Sequence, residues 1–228
     1  MLTIAIVDDA EKWLLIAEKL VNAMPGCKVI VKLYDGIEFV EWCYRNRNLP
    51  DIALIDVEMR KMDGVQTVDF FTDHFPAIKL MAISSHTHKE AVEDMVACGA
   101  CGYVSKLYNM KNLPDAINAV AAGKIYIDPI LQIENIDREK LMAVRAKQKE
   151  YRDDLGLKPK QTEMIALYAT VASQKHIADI LSVSEKTVEY RVKKISLILE
   201  VKNRQQLTIK SIRRGIIRVA RYFKGRQR

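Results

Sequence analysis

The 228-residue chain has no long hydrophobic run, and no apolar stretch reaches the roughly 18 residues that a membrane-spanning helix needs. Its first residues, MLTIAIVDDAEKW, lack the basic segment that opens a secretory signal peptide, and acidic residues follow the short apolar run at once. We therefore expect a cytoplasmic protein that has no membrane partner.

Cysteine and histidine are scarce, with four of each in the chain. Cys98 and Cys101 have the C-x-x-C spacing of a redox motif or of half a zinc site. The sequence has no second C-x-x-C and no H-x-x-x-H to supply the remaining zinc ligands. We therefore interpret the pair as two small buried side chains at the end of a helix. His86 and His88 are interpreted as exposed loop residues.

The charges are distributed unevenly along the chain. Residues 1–125 carry a net charge of −4 and residues 126–228 a net charge of +11, which together give the overall +7. Two domains with different partners would explain this contrast. A polyanion such as DNA is the expected partner of the strongly basic second half.

The first half alternates between short apolar runs and segments with helical spacing. The predicted strands are 2–7, 28–34, 52–55, 78–83 and 102–105, and the predicted helices are 10–23, 37–45, 65–71, 89–97 and 113–122. Five such units in succession predict an α/β fold, a doubly wound five-stranded parallel sheet with helices on both faces.

Polar residues stand at or just beyond the ends of four of these strands: Asp8, Asp9, Asp56, Ser84 and Lys106. Ligands of doubly wound sheets bind beyond the carboxyl ends of the strands, so we expect these side chains at one mouth. Mg²⁺ would relieve the repulsion among three carboxylates, since it prefers oxygen ligands and retains phosphate and water. A carboxylate there could attack a phosphoryl group and form an acyl phosphate, with Lys106 and Ser84 contacting its oxygens.

These five residues, the loop Asp56-Val-Glu-Met and the segment 99–106 (GACGYVSK) resemble the receiver domains of two-component systems. The resemblance covers residues 1–122. It implies that Asp56 is phosphorylated by a sensor histidine kinase and that Ser84 and Tyr103 move on phosphorylation. It also implies that Asp9, Asp56 and the Glu58 backbone carbonyl bind Mg²⁺, with Asp8 acting through water.

Arg60 and Leu107 depart from the family pattern, since receivers usually have proline at both positions, and two alternative functions stay open. Arg60 stands where receivers usually have proline, which keeps open a receiver that works independently of phosphorylation. The other alternative is a phosphatase of the haloacid dehalogenase type. That class requires D-x-D at its nucleophile, and Asp56-Val57-Glu58 does not supply it.

Residues 123–154 are predicted to be a linker, irregular over 123–135 and helical over 137–153, which we interpret as a solvated tether. Residues 155–228 are predicted to be an all-α domain with helices from Pro159 to about Ala169, over 174–181, and from Glu185 to about Leu199. Ser184 is the expected N-cap of the last helix. Two short helices joined by a tight turn, the second crowded with basic residues, indicate a helix-turn-helix.

The segment 184–195 (SEKTVEYRVKKI) resembles the recognition helix of LuxR-type output domains, and 175–181 (KHIADIL) resembles the helix before it. With the receiver-like half, the chain resembles regulators of the NarL/FixJ class. The resemblance implies a transcriptional regulator that dimerises when phosphorylated, rather than an enzyme. The predicted DNA contacts are Lys186, Thr187, Glu189, Tyr190, Arg191, Lys193 and Lys194. Glu189, Tyr190 and Lys193 are expected to face base edges.

The last residues, 210–228, contain eight lysines and arginines and no acidic residue. We expect this basic extension to be attracted to DNA. A membrane-surface helix and a solvated tail are the alternatives.

Overall fold

The apolar runs of the first half form a parallel sheet in the computed structural model, which describes residues 1–133 and 136–220 apart from the side chain of Arg138. The sheet order is β2-β1-β3-β4-β5-β6. Five of its strands match the prediction to within one residue at each end: β1 Leu2–Val7, β2 Cys27–Leu33, β3 Ile52–Asp56, β4 Lys79–Ser84 and β5 Gly102–Ser105. All neighbouring strands pair in parallel, as the doubly wound prediction requires.

The prediction of five strands was one strand short. A sixth strand, β6 Tyr126–Ile127, pairs with β5 inside the segment that was expected to be irregular. The Tyr126 amide donates to the Cys101 carbonyl at 3.1 Å, and the Asp128 amide donates to the Tyr103 carbonyl at 2.9 Å. Two residues are too few to show an alternating pattern, so only these backbone bonds identify the strand.

Helices cover both faces of the sheet because nearly every strand residue is apolar. Side chains alternate along β1, so Ala5 and Val7 pack on one face and Ile4 and Ile6 on the other. The first face is covered by α2 Gly36–Arg45, α3 Gly64–His74 and α4 Lys89–Cys98, and the second by α1 Glu11–Asn22 and α5 Leu113–Ala121.

The linker helix, α6 Arg138–Asp154, is docked on the receiver, and our interpretation of it as a solvated tether was wrong. Arg145 lies 2.6 Å from Asp69 and 2.7 Å from Asp73, both on α3. Arg152, two turns further along the helix, also pairs with Asp73, at 2.5 Å. Arg145 donates a further hydrogen bond to the Cys98 carbonyl at the end of α4, at 2.8 Å. The charged composition of α6 does not reveal that its partners lie some seventy residues earlier.

The described residues that follow α6 form four helices: α7 Pro159–Tyr168, α8 Gln174–Ile180, α9 Glu185–Ile198 and α10 Arg204–Arg213. Ser184 caps α9 as predicted, because its hydroxyl accepts from the Thr187 amide at 3.1 Å. The prediction missed α10, since Leu207 is its one fully buried apolar residue and a single such residue gives no helical period.

The helical domain packs on the α2–α3 side of the receiver. The buried Gln66 side chain of α3 donates to the Ala166 carbonyl of α7 at 3.1 Å. One apolar cluster runs from the α2, α3 and α4 face of the sheet into the core of the helical domain, where Ile177, Val188 and Ile195 are buried. The two halves of the chain therefore share a continuous core.

The segment after α10 returns to the receiver instead of extending freely. Ile216 and Ile217 are buried, and the Ala220 amide donates to the Asp63 carboxylate at 3.0 Å. Residues 216–220 are therefore packed on the protein, the attraction of the basic extension to DNA stays a prediction, and residues 221–228 lie outside the described part of the chain.

None of the helices in the described residues is both long and apolar enough to cross a bilayer.

Candidate functional site

Three carboxylates meet beyond the carboxyl ends of β1 and β3. Asp8 and Asp9 follow β1 directly, and Asp56 is the last residue of β3. Each offers an oxygen that lies within 4.8 Å of the others. Asp8 and Asp56 are buried, whereas Asp9 is partly exposed at the rim. The parallel sheet thus brings Asp56 beside two residues that precede it by 47 and 48 positions.

Lys106 follows β5 and reaches into this acidic pocket. Its Nζ lies 2.7 Å from Asp8 and 2.8 Å from Asp56, and the side chain is 5 % exposed. Burial raises the pKa of Asp56 to about 7, Lys106 opposes that rise, and the charge of Asp8 adds to it. Burial likewise raises the pKa of Asp8. One lysine therefore balances only part of the negative charge in the pocket.

The donor set of the pocket fits a hard divalent cation such as Mg²⁺. It consists of carboxylate oxygens close enough to share one ion, and an ion would offset the charge that Lys106 leaves. The Glu58 side chain does not belong to this set, because its carboxylate lies 2.8 Å from His86 Nε2. The predicted role of Glu58 uses its backbone carbonyl and stays a prediction.

Ser84 and Tyr103 contact the same residue, His86, in the loop that follows β4. The Ser84 hydroxyl accepts from the His86 amide at 3.0 Å, and the Tyr103 hydroxyl donates to the His86 carbonyl at 2.9 Å. Both side chains are buried, and burial raises the pKa of Tyr103. His86 itself is half-buried, which corrects our interpretation of it as an exposed loop residue. His88 is also half-buried.

Arg60 stands at the rim of the pocket. Its Nε lies 3.7 Å from the Asp9 carboxylate, and its side chain is 82 % exposed. An exposed pair of this length contributes little to stability. It nevertheless places a positive charge beside one of the predicted Mg²⁺ ligands.

The two cysteines of the C-x-x-C motif are free thiols at the end of α4. Cys98 is fully buried and Cys101 partly buried, and burial raises the pKa of Cys98. The described residues contain no metal-binding group around these thiols.

The recognition-helix candidate, α9, presents its polar face to solvent while α7 and α8 face the receiver. Tyr190 is 58 % exposed, and the side chain of Lys193 is 73 % exposed. Of the predicted DNA contacts, five are exposed and two are half-buried; the exposed ones are Lys186, Glu189, Tyr190, Lys193 and Lys194, and the half-buried ones are Thr187 and Arg191.

Neighbouring side chains already pair along α9. Glu189 lies 2.9 Å from Lys193, whose hydrogen bond lowers the pKa of this carboxyl. Lys194 lies over the ring of Tyr190, 4.6 Å from its centre. To contact a DNA base, the Glu189 carboxylate would have to break its ion pair with Lys193.

Two family models match the chain. The model described as the response regulator receiver domain matches residues 4–118. The model described as bacterial regulatory proteins of the luxR family matches residues 156–211.

Relatives match over nearly the whole chain. The transcriptional regulatory protein DegU of Brevibacillus brevis is 28 % identical over 226 residues, 95 % of each chain. The nitrate/nitrite response regulator NarL of Escherichia coli (strain K12) is 26 % identical over 207 residues, 91 % of this chain and 93 % of NarL. A structure of RcsB from Salmonella enterica serovar Typhimurium, bound to promoter P1flhDC with the phosphomimetic BeF3−, has the same fold. Its TM-score is 0.50 at 20 % identity, over 92 % of this chain and 97 % of RcsB.

Proposed function

Because this chain belongs to the NarL/FixJ class of two-component response regulators, we propose that a partner histidine kinase phosphorylates Asp56 and thereby controls dimerisation and promoter binding. Members of this class are transcription regulators, so the phosphatase alternative no longer applies. We assign residues 1–122 to the receiver, 123–154 to the linker, and 155–228 to the DNA-binding domain with its basic extension.

The observation that carries the proposal is the buried contact between Asp56 and Lys106, with Asp8 and Asp9 beside it. In the proposed step an Asp56 oxygen attacks the phosphorus of a phosphohistidine. The P–N bond breaks, and the imidazole leaves with the electron pair and takes up a proton. Lys106 then pairs with the phosphoryl oxygens, and bound Mg²⁺ would add charge neutralisation at the same oxygens.

The contacts of His86 suggest how phosphorylation would be transmitted. If the Ser84 hydroxyl turns to the phosphoryl group, it loses its hydrogen bond from the His86 amide. The hydrogen bond from the Tyr103 hydroxyl to the His86 carbonyl then remains. The loop leads directly into α4, against which α6 packs. A shift of α4 would therefore reach the linker helix through the bond between Arg145 and the Cys98 carbonyl.

The exposed face of α9 supports DNA binding, and its length supports binding as a dimer. One short helix in the major groove reads few base pairs, so two copies on paired half-sites give a specific site. We place Tyr190, Lys193 and Glu189 at base edges and Lys194 at the backbone.

Phosphotransfer from a small acyl phosphate in the presence of Mg²⁺, followed by DNA-affinity measurement, tests the proposal. Wild type should gain mass at Asp56, self-associate and bind a selected promoter duplex more tightly. The second candidate, a receiver that works independently of phosphorylation, is favoured by the positive charge of Arg60 beside Asp9. Unchanged DNA affinity after complete phosphorylation would establish that candidate instead.

A further inference from the structure

The carboxyl-terminal turn of α2 in the receiver lies against the helical domain. The Glu41 carboxylate is 3.2 Å from His176 Nε2 on α8 and 2.6 Å from Arg45 Nη2, one turn further along α2. Tyr44 donates a hydrogen bond to Glu163 on α7. These contacts hold the end of α2 beside the first two helices of the DNA-binding domain.

The part of α8 that receives this contact is its first turn, which lies next to the start of α9. The Ser173 hydroxyl caps α8 by accepting from the His176 amide at 3.1 Å. The Gln174 side chain donates to the carbonyl of Glu185, the first residue of α9, at 3.4 Å. In helix-turn-helix complexes the start of the recognition helix enters the major groove, and the preceding helix crosses the backbone. The end of α2 therefore lies on the side of the molecule that faces DNA.

Two arginines lie at this end of α2. The Arg45 side chain is 63 % exposed even though it pairs with Glu41, and Arg47 is exposed in the loop that follows. Asn46 and Asn48 are exposed as well. Guanidinium and amide groups are donors for phosphate oxygens, and this stretch offers no apolar side chain to anchor a protein partner.

We infer that the receiver segment 45–48 (RNRN) is a second DNA contact, which binds backbone phosphates flanking the base pairs that α9 reads. The inference rests on the proposed DNA binding by α9 and adds a contribution from the receiver. Phosphate contacts carry no sequence information, so the segment raises affinity for all sequences alike. It acts only while the receiver stays docked on the helical domain.

The test compares full-length wild type with Arg45→Gln/Arg47→Gln on a labelled duplex selected from random sequences with the wild-type protein. Two lost phosphate contacts should lower the slope of log affinity against log salt by about 1.8. When the salt concentration rises from about 50 to about 200 mM, the affinity of wild type should therefore fall by a factor roughly twelve times larger than that of the variant. The base preference of the variant should not change.

Three further variants separate DNA contact from altered folding or docking. Arg47→Gln alone leaves the Arg45–Glu41 pair in place and should lower the slope by about 0.9. Arg45→Lys/Arg47→Lys keeps both charges and should keep the slope. Lys19→Gln/Lys124→Gln removes two exposed charges from the α1–α5 side of the sheet and should behave as wild type.

Equal salt slopes for Arg45→Gln/Arg47→Gln and Lys19→Gln/Lys124→Gln would overturn the inference. Failure of the proposed function itself gives a different result, because wild type would then select no duplex and Lys194→Ala would have no effect.

Discussion

The guanidinium of Arg145 on the linker helix lies 2.6 Å from the carboxylate of Asp69 on α3, and both side chains are buried. Arg152 and Asp73 extend the pair to four charges. Burial raises the pKa of Asp69 even though both arginines oppose it, whereas the pKa of Asp73, also desolvated, is lowered by the two arginines. This cluster fixes α6 to the receiver.

Arg145→Met should destabilise the protein by about 3 kcal/mol or more, because it leaves a buried carboxylate short of its main partner. Urea unfolding measures the change. Lys147→Met, at an exposed position of the same helix, is the matched control and should be nearly neutral. If both variants unfold at the same urea concentration, the cluster does not hold α6.

Asp56→Asn should abolish hydroxylamine-labile phosphorylation and leave the fold intact, since the amide has the same shape but forms no acyl phosphate. Mass spectrometry after treatment with Mg²⁺ and an acyl-phosphate donor checks this. Asp115→Asn, an exposed acid on α5, should label as wild type does. Continued labelling of Asp56→Asn would move the acceptor to another residue.

Asp9→Ala should weaken Mg²⁺ binding by at least about tenfold, since even residues that only support a metal ligand affect affinity that much. Tryptophan fluorescence can follow the titration, because Lys106 Nζ in the pocket lies 5.5 Å from the centre of the Trp13 ring. Wild-type affinity in Asp9→Ala would remove this carboxylate from the proposed site, and Asp115→Asn again serves as the control.

Lys194→Ala should weaken binding to every sequence alike and lower the salt slope by about one. Glu189→Ala should instead change the preferred base at one position, on the order of tenfold, because a carboxylate accepts from the amino group of cytosine. Binding-site selection with each variant separates the two effects. An unchanged motif for Glu189→Ala would mean that this side chain serves only its pair with Lys193.

The stability of the docked protein should fall as pH rises from about 5 to about 8, in part through Glu163. Burial raises the pKa of Glu163 from 4.5 to about 7, and Arg191 on α9 opposes the rise. The folded state therefore holds a proton that the unfolded chain has released, so deprotonation in this window favours unfolding.

Glu163→Gln should reduce that pH dependence while keeping a partner for Tyr44 on α2. Denaturant unfolding of both proteins at each pH isolates the contribution of Glu163. Parallel pH profiles would show that the carboxyl titrates normally in the folded protein.

The receiver fold and its pocket could be predicted because their signals are local. Each strand is a run of apolar residues, and Asp8, Asp56 and Lys106 stand where such runs end. The rule that parallel strands end at one edge then brings the three together without any knowledge of packing.

The remaining features depend on partners that are distant in sequence. Arg145 looks like any solvated charge until Asp69 is known to face it, 76 positions earlier. The sequence does not indicate that the exposed guanidinium of Arg60 lies near Asp9. Strand β6 has only two residues, which is too short for a recognisable pattern. Contacts between the two halves follow from surface complementarity, which single-sequence periodicity does not encode.

The continuous core between the two halves limits which output domains could replace the helical domain of this regulator. Here a foreign output module would leave the apolar side of α2 and α3 uncovered and Asp63 without the amide of Ala220. An output domain grafted at the linker should therefore leave this apolar surface exposed and aggregate, unless the receiver residues that contact the helical domain are adapted to the new domain.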